Sequence, residues 1–321
     1  MGNNKTMRLN IYIYSVIMAS LILFSVKTSY AQTEPMYSQY MYNMLGVNPA
    51  YAGNREATSL NFFQRNQWVG IKGAPKTTSL SIDQSISEGK LGWGFQAYDD
   101  RLGVESATGF NGMLSSRVRV SENGFLSGGL SFGLMNYRIN LNEVQNRFTS
   151  TDPSFISTDK TSIWNPMVGL GIYYNTDKFY VGVSTPSLLR SRLASINNAN
   201  SGIQKVDDFH LFVNAGYVIS MGEEVKLKPS TMVKMVSGAP VQIDGNLNIW
   251  LHDVIGIGGS YRTGDAIVGM AEIQATDNLR FGYAYDVTFS PIKSFTKGSH
   301  ELMLRYEFGS FKTKIKSTRY F

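Results

Sequence analysis

The chain has 321 residues, with 30 basic and 24 acidic side chains and no cysteine. The lack of cysteine excludes disulfide bonds, thiolate metal sites and a lipidated N-terminal cysteine. A nucleic-acid-binding protein needs a basic patch with interleaved aromatic residues. The sequence has no such patch, so nucleic acid is not expected as a partner.

The first segment, residues 1–31, is predicted to be an export signal. Lys5 and Arg8 precede a mostly apolar run that ends at Val26, and small residues surround the predicted cleavage point after Ala31. The alternative is a retained membrane anchor, but the run is shorter than the ~20 residues that span a bilayer. We therefore expect a protein that is exported from the cytoplasm.

Three sequence blocks follow between residues 34 and 77. The first block is MYSQYMYN at 36–43, preceded by Glu34-Pro35, the second is VNPAYAG at 47–53, and the third is RNQWVGIKGAPKT at 65–77. In this order they closely resemble the start of the PorP/SprF family, membrane proteins of the type IX secretion system and gliding machinery of Bacteroidota. Met44 departs from the family pattern, which more often has proline there.

The resemblance implies a non-enzymatic outer-membrane component that assists the secretion or surface attachment of particular cargo proteins, adhesins among them. It also implies partners of two kinds. One kind is the set of periplasmic, peptidoglycan-linked subunits of the secretion machine, and the other is cargo that carries a type IX export domain. The outer-membrane lipid is the third expected contact.

The same blocks supply the candidate partner-binding residues. Two interpretations stay open: a periplasmic platform for another subunit, or a structural role in closing the barrel and beginning its first strand. Burial of Tyr51 and Trp68 against the rim of the lumen would explain the pattern without a partner. The candidates are Asn48, Pro49, Ala50, Tyr51, Arg65, Gln67, Trp68, Gly73, Ala74 and Pro75.

From Thr58 onward the sequence alternates with a period of two. The clearest run is 225–235, where Val225, Leu227 and Val233 share one face while Lys226, Lys228 and Lys234 share the other. A strand with one wholly apolar face lies between two different media. The segments predicted as strands are 58–68, 77–86, 91–99, 109–120, 125–136, 165–174, 179–184, 209–219, 225–235, 241–251, 254–262, 266–275, 278–290 and 300–308.

These segments predict an all-β fold, a transmembrane antiparallel outer-membrane β-barrel of about 14 strands, with an N-terminal periplasmic segment. The alternative is a large soluble β-sandwich, whose strands also alternate. The predicted boundaries are a signal peptide at 1–31, a periplasmic segment or plug at 32–57, the barrel at 58–309 and a basic tail at 310–321. The predicted location is the outer membrane.

The connections between strands are predicted to be of two lengths. Short turns contain Gly, Asn or Asp, whereas residues 137–163, 185–208 and 291–298 form longer loops. In outer-membrane barrels the short turns face the periplasm and the long loops face outside. The long loops either contact an exported partner or shield the barrel passively.

Residues with enzymatic chemistry are nearly absent from the sequence. The histidines His210, His252 and His300 lie far apart, and Asp99-Asp100 fits a charged strand end better than an acid–base pair. No catalytic, cofactor-binding or metal-binding residue is predicted, and no cofactor.

Charged residues at lumen-facing positions allow two interpretations. They either line a polar pore, as in a porin-like diffusion channel for small solutes, which is the alternative function, or pair with one another in an interior filled by the N-terminal segment. They are Arg117, Arg119, Lys226, Lys228, Lys234, Arg262, Arg280, Arg305, Asp244, Glu272, Asp286, Glu301 and Glu307.

Overall fold

The computed structural model describes residues 36–55, 57–140, 161–188, 210–236 and 239–308. Every strand in these ranges belongs to one compact unit. Within the described ranges, no helix has the length and apolar character needed to cross a membrane. The predicted signal at 1–31 and the predicted tail at 310–321 lie outside the described residues.

Strands make up almost the whole described chain, and the helical pieces are single turns. The short helical segments are Tyr40–Tyr42, Met44–Val47, Pro49–Tyr51 and Pro291–Ser294. The strands are β1 (Thr58–Asn66), β2 (Lys76–Ile86), β3 (Leu91–Leu102), β4 (Glu105–Arg119), β5 (Phe125–Ile139), β6 (Thr161–Asn175), β7 (Phe179–Thr185), β8 (His210–Tyr217), β9 (Ile219–Met221), β10 (Val225–Val236), β11 (Gln242–Leu251), β12 (Ile255–Arg262), β13 (Ala266–Gln274), β14 (Leu279–Thr288) and β15 (Ser299–Phe308).

The strands form one closed antiparallel sheet. Each strand pairs with its neighbours along the chain, and β1 closes the sheet against β15, with Thr58 opposite Phe308. β8 and β9 both pair with β10 and are separated only by Val218, so together they act as one strand of the barrel. The result is a barrel of 14 strands, and the predicted fold is confirmed.

The predicted strand ends differ from the observed ends where polar residues interrupt the alternation of apolar and polar positions. β4 begins at Glu105 and β6 at Thr161, earlier than predicted, because their backbone ladders continue past the last apolar pair. β5 likewise continues to Ile139, so the predicted 137–163 loop is shorter at both ends. Residues 141–160 and 189–208 of the predicted loops, and Phe209 of the predicted strand 209–219, lie outside the described residues.

The two faces of the barrel have opposite character. On β10, Lys228 and Lys234 are buried, whereas their neighbours Leu227 and Val233 face outward. Large apolar side chains are exposed all around the wall, which is the surface expected against lipid. Examples are Leu114, Phe132, Ile172, Ile257, Ile267, Val287 and Leu302, each more than half exposed.

Alternating strand direction places the connections at two mouths. The turns at 87–90, 120–124, 176–178 and 222–224 lie at one end of the barrel, which we call the short-turn mouth, together with the start of β1 and the end of β15. The connections that follow β1, β3, β12 and β14 lie at the other end, together with the last residues of β5 and β7, and we call this end the long-loop mouth.

Candidate functional site

The barrel interior contains residues 36–55, which we call the plug. Its apolar side chains are almost fully buried, among them Tyr40, Met41 and Met44. Asn48 begins the last helical turn: its side-chain oxygen accepts a hydrogen bond from the Ala50 N–H at 2.9 Å, and Pro49 follows as the first residue of the turn. The plug therefore consists of short capped turns that bury their side chains against the barrel wall.

Contacts with the wall give the direction in which the plug runs. Near the long-loop mouth, the Ser38 N–H donates to the Glu301 carboxylate at 2.7 Å. Farther on, the Ala52 carbonyl accepts from Ser115 Oγ at 2.6 Å. Arg55 forms an ion pair with Glu307 at the end of β15. The plug thus passes through the lumen from the long-loop mouth to the short-turn mouth, where β1 begins.

A buried ionic network surrounds the first residues of the plug. Arg65 reaches the carboxylates of Asp286 at 2.6 Å and Glu301 at 2.9 Å. It also donates to the hydroxyl of Ser38 at 2.7 Å. Arg262 contacts Asp286 at 3.4 Å and Asp244 at 3.3 Å, and Lys234 pairs with Asp244 at 2.7 Å. Because each buried charge has an opposite partner, the network can exist away from bulk water.

Aromatic and cationic side chains surround the middle of the plug. The Tyr42 carbonyl accepts from Arg305, whose Nε also donates to Asn61 at 2.6 Å. The Lys228 ammonium lies 4.9 Å from the Tyr42 ring centroid, and the Arg280 guanidinium lies 4.5 Å from the Trp250 ring. These cation–π contacts add attraction in a site where water is excluded.

Glycines on the wall allow the plug backbone to approach closely. A Cβ at Gly92 would lie 2.0 Å from the Ala52 carbonyl oxygen, and one at Gly129 would lie 2.2 Å from the Ala50 nitrogen. A Cβ at Gly171 would lie 2.0 Å from the Asn48 side chain. Only glycine fits at these three positions.

The structure separates the ten candidate residues into two groups. Asn48, Pro49, Ala50 and Tyr51 are buried in the plug, and Arg65 belongs to the ionic network. The remaining candidates lie in the β1–β2 connection at the long-loop mouth; they are Gln67, Trp68, Gly73, Ala74 and Pro75. The ten residues therefore do not form one surface, and their partner-binding role stays a prediction.

Tyr51 and Trp68 have different surroundings. Tyr51 is buried edge-on against Tyr173, with ring centroids 5.6 Å apart. Trp68 is half-buried, and its backbone N–H donates to Ser299 Oγ at 3.1 Å. Tyr51 thus contributes to packing inside the barrel, whereas Trp68 contributes to the rim.

Most of the predicted lumen charges lie inside the barrel. Three of them are not fully buried. Arg119 is exposed, and it donates to the carbonyls of the 120–124 turn. Arg117 and Lys226 are only partly buried. The Arg117 guanidinium lies 3.9 Å from the Phe125 ring centroid, and Lys226 forms an ion pair with Asp253. The buried ones are Lys228, Lys234, Arg262, Arg280, Arg305, Asp244, Glu272, Asp286, Glu301 and Glu307.

Sequence reasoning missed two interior charges, Arg55 and Asp83. Asp83 is buried on β2 and accepts from the Gly53 N–H at 3.1 Å. The period-two alternation of β2 could have placed it inside. Arg55 precedes the first strand and follows no period, so no sequence pattern indicated its ion pair with Glu307. Among the described residues, no group of three or more His, Asp or Glu side chains is arranged to hold a metal ion.

A closed antiparallel barrel with an apolar outer wall and a charged interior defines an outer-membrane β-barrel protein. Residues 29–306 match the family described as type IX secretion system membrane protein PorP/SprF, and the chain belongs to that family. It is therefore an outer-membrane component of the type IX secretion system. The resemblance carried by the three sequence blocks is confirmed.

Several solved barrels are similar to this chain at low identity. CymD, a monoaromatic hydrocarbon channel, is 12% identical with a TM-score of 0.49 and coverage of 86% of this chain and 94% of its own. The Ralstonia pickettii toluene transporter TbuX is 9% identical with a TM-score of 0.48 and coverage of 81% and 91%. The Acinetobacter baumannii outer membrane protein Omp33 is 9% identical with a TM-score of 0.46 and coverage of 79% and 99%. No curated protein matches the chain.

Proposed function

We propose that this protein is a non-enzymatic adaptor of the type IX secretion and gliding machinery. It assists the secretion or surface attachment of specific cargo proteins, such as adhesins, and contacts periplasmic, peptidoglycan-linked subunits. One observation carries the proposal: in a member of this family, the lumen is filled by the chain's own residues 36–55, which are held there by the buried ionic network.

The filled lumen argues against the alternative, a porin-like diffusion channel. One cavity between the plug and the wall, near Leu45, Met113 and Phe212, has a volume of about 30 Å³, which suits about one water molecule. A continuous aqueous path needs a much wider lumen. An adaptor needs no such path, because its contacts lie at the mouths.

The proposed partners are assigned to the two mouths by connection length. Short turns of outer-membrane barrels face the periplasm and long loops face outside. We therefore assign cargo contact to the long-loop mouth and subunit contact to the short-turn mouth. Gln67, Trp68 and Gly73–Pro75, for which the sequence suggested a periplasmic platform, lie at the long-loop mouth and are assigned to the cargo side instead. Asn48–Tyr51 and Arg65 then act by holding the plug. The same proposal includes removal of residues 1–31 as a signal peptide. It also divides the remaining chain into a periplasmic segment or plug at 32–57, the barrel at 58–309 and a basic tail at 310–321.

The direct test is purification of the tagged protein from its native outer membrane in mild detergent, followed by mass spectrometry. We expect secretion-machine subunits, and a surface protein with a type IX export domain, to co-purify. An unrelated tagged outer-membrane barrel is the matched control. A barrel that purifies alone even after crosslinking, and that conducts ions in a planar bilayer, would establish the channel instead.

A further inference from the structure

Two connections at the long-loop mouth are joined to each other. They are residues 67–75, between β1 and β2, and residues 289–298, between β14 and β15, and we call them the paired loops. The Val69 N–H donates to the Gly298 carbonyl at 2.8 Å, and the Lys297 N–H donates to the Val69 carbonyl at 2.7 Å. Residues far apart in the sequence thus form one ordered surface.

The backbone of the paired loops is held in unusual conformations. Trp68 has a φ of 46°, a value that a bulky residue adopts only when its surroundings impose it. Gly70, Gly73 and Gly298 also have positive φ. The Gly73 carbonyl accepts from the Gly103 N–H at 2.8 Å, which connects the paired loops to the β3–β4 turn. The strained backbone of Trp68 is of the kind that clusters at functional sites, whereas the glycines adopt positive φ without strain.

The paired loops, together with the adjoining residue Lys76, are basic. Neither 67–76 nor 289–298 contains an acidic residue. Three lysines of the paired loops, Lys72, Lys293 and Lys297, and Lys76 at the start of β2 are all exposed, and none forms an ion pair with another described residue. A concentration of one charge attracts a partner of the opposite charge.

Two acidic residues at neighbouring strand ends have cationic partners, whereas Glu105, at the start of β4, is exposed and forms no ion pair with another described residue. Asp99 pairs with Arg101 at 2.7 Å. Asp265 pairs with Arg262 at 3.2 Å. The carboxylates of Asp99 and Asp265 are therefore engaged by nearby arginines rather than by Lys72, Lys76, Lys293 or Lys297.

An apolar anchor and a groove accompany the lysines. Phe295 is 74% exposed, the highest value among the large apolar side chains that the structure describes. Beside it, a groove of about 680 Å³ is lined by Gln67, Val69, Ile71, Lys72, Lys76 and Arg101. An exposed aromatic side chain next to a groove with a charged rim is typical of a protein-binding surface.

We propose that the paired loops dock an acidic polypeptide segment of a partner protein. Its carboxylates meet Lys72, Lys76, Lys293 and Lys297, and an apolar side chain of the segment covers Phe295. The groove also carries the polar side chains of Gln67 and Arg101, which a peptide can match with hydrogen bonds and an acyl chain cannot, so the surface favours a polypeptide over a lipid. The inference rests on the proposed function only in assigning this mouth to the cargo side.

The first experiment places a photo-crosslinking amino acid at Phe295 in cells that contain the whole secretion machine. We expect an adduct with a polypeptide whose crosslinked segment is rich in Asp and Glu. The adduct should be lost when Lys72, Lys293 and Lys297 are replaced together by glutamate. The control for charge reversal uses purified protein, without the other subunits: replacing Lys90 and Lys178, exposed lysines at the short-turn mouth, by glutamate should leave binding of the acidic peptide described next unchanged.

The second experiment uses the purified full chain in nanodiscs and a labelled peptide of alternating glutamate and tyrosine. The triple variant should bind this peptide about tenfold more weakly or worse, and the affinity of the wild type should fall as salt is raised. A peptide of alternating lysine and tyrosine, which differs only in the sign of its charge, is the matched control probe. Heat-dependent gel mobility checks that each variant is folded.

Several outcomes would overturn the inference: unchanged peptide binding by the folded triple variant, an adduct at position 295 with lipopolysaccharide only, or an adduct with a segment that lacks acidic residues. The proposed function fails separately. A barrel that binds the acidic peptide but brings no secretion subunit or cargo from the membrane would contradict the adaptor while leaving the docking site intact.

Discussion

Arg65 connects the plug to the barrel wall through a single side chain. Its guanidinium contacts Asp286, Glu301 and Ser38 while remaining almost fully buried. Replacing it by leucine leaves Glu301 buried without its cation. We expect Arg65→Leu to lower the free energy of unfolding by about 3–5 kcal/mol, measured by urea titration in detergent. Arg65→Lys should lower the free energy of unfolding by a smaller but measurable amount, because lysine lacks the planar guanidinium that bridges the two carboxylates.

Arg101 provides the control for this experiment. Its side chain is 69% exposed and pairs with Asp99 at 2.7 Å. Exposed ion pairs contribute little, so Arg101→Leu should change the free energy of unfolding by less than about 1 kcal/mol. Equal losses from Arg65→Leu and Arg101→Leu would show that the ionic network does not hold the plug.

Gly128 and Gly129 are adjacent on β5 and face opposite media. A Cβ at Gly129 would overlap Ala50 and Pro49 of the plug, whereas one at Gly128 meets nothing within 4 Å. We expect Gly129→Ala to lower the free energy of unfolding by about 1–3 kcal/mol through overpacking, and Gly128→Ala to leave it nearly unchanged. The four tryptophans provide a fluorescence signal for the titration. Equal midpoints for the two variants would contradict the observed path of the plug.

At the scale of elements, the plug depends on the barrel for its structure. Its helical segments have three, four and three residues, far below the length at which an isolated helix is stable in water. Their stability comes from the burial of side chains such as Tyr40 and Tyr51. The plug should therefore unfold together with the barrel.

Deleting residues 36–52 should open the lumen. We expect the wild-type protein to conduct little in a planar bilayer and the deletion variant to form stable open pores, because the plug fills the interior that the wall encloses. Gel mobility before and after heating shows whether the shortened barrel is folded. A milder variant, Ser38→Ala with Glu301→Gln, removes contacts at the long-loop end and should produce brief openings. Equal conductance of the wild type and a folded deletion variant would contradict the prediction.

At the scale of the whole molecule, the two mouths should face opposite sides of the outer membrane. The chain has no cysteine, so an introduced cysteine is the only thiol available for labelling. In intact cells, a membrane-impermeant maleimide should label Lys293→Cys at the long-loop mouth. It should label Asn123→Cys at the short-turn mouth only after the outer membrane is permeabilised. The reverse pattern would assign cargo and subunit contacts to the opposite mouths.

Much of the barrel could be predicted because strand periodicity is local. The alternation of residues 225–235 identifies a strand and assigns each lysine to the interior without reference to the rest of the chain. The number of strands, the antiparallel order and the apolar outer wall follow from repeating that pattern. The three sequence blocks likewise sufficed to indicate the family.

The tertiary structure alone decided what fills the barrel and which residues meet. Ser38 and Glu301 are 263 positions apart, and no periodicity relates the irregular plug to the wall it contacts. The same holds for Val69 and Gly298 in the paired loops, which become neighbours only because β1 closes against β15. Whether a segment forms a strand, and which side chains of that strand point into the lumen, depend on residues two positions apart. The sequence therefore determines both. The plug path and the composition of each mouth depend on barrel closure, which brings distant residues together.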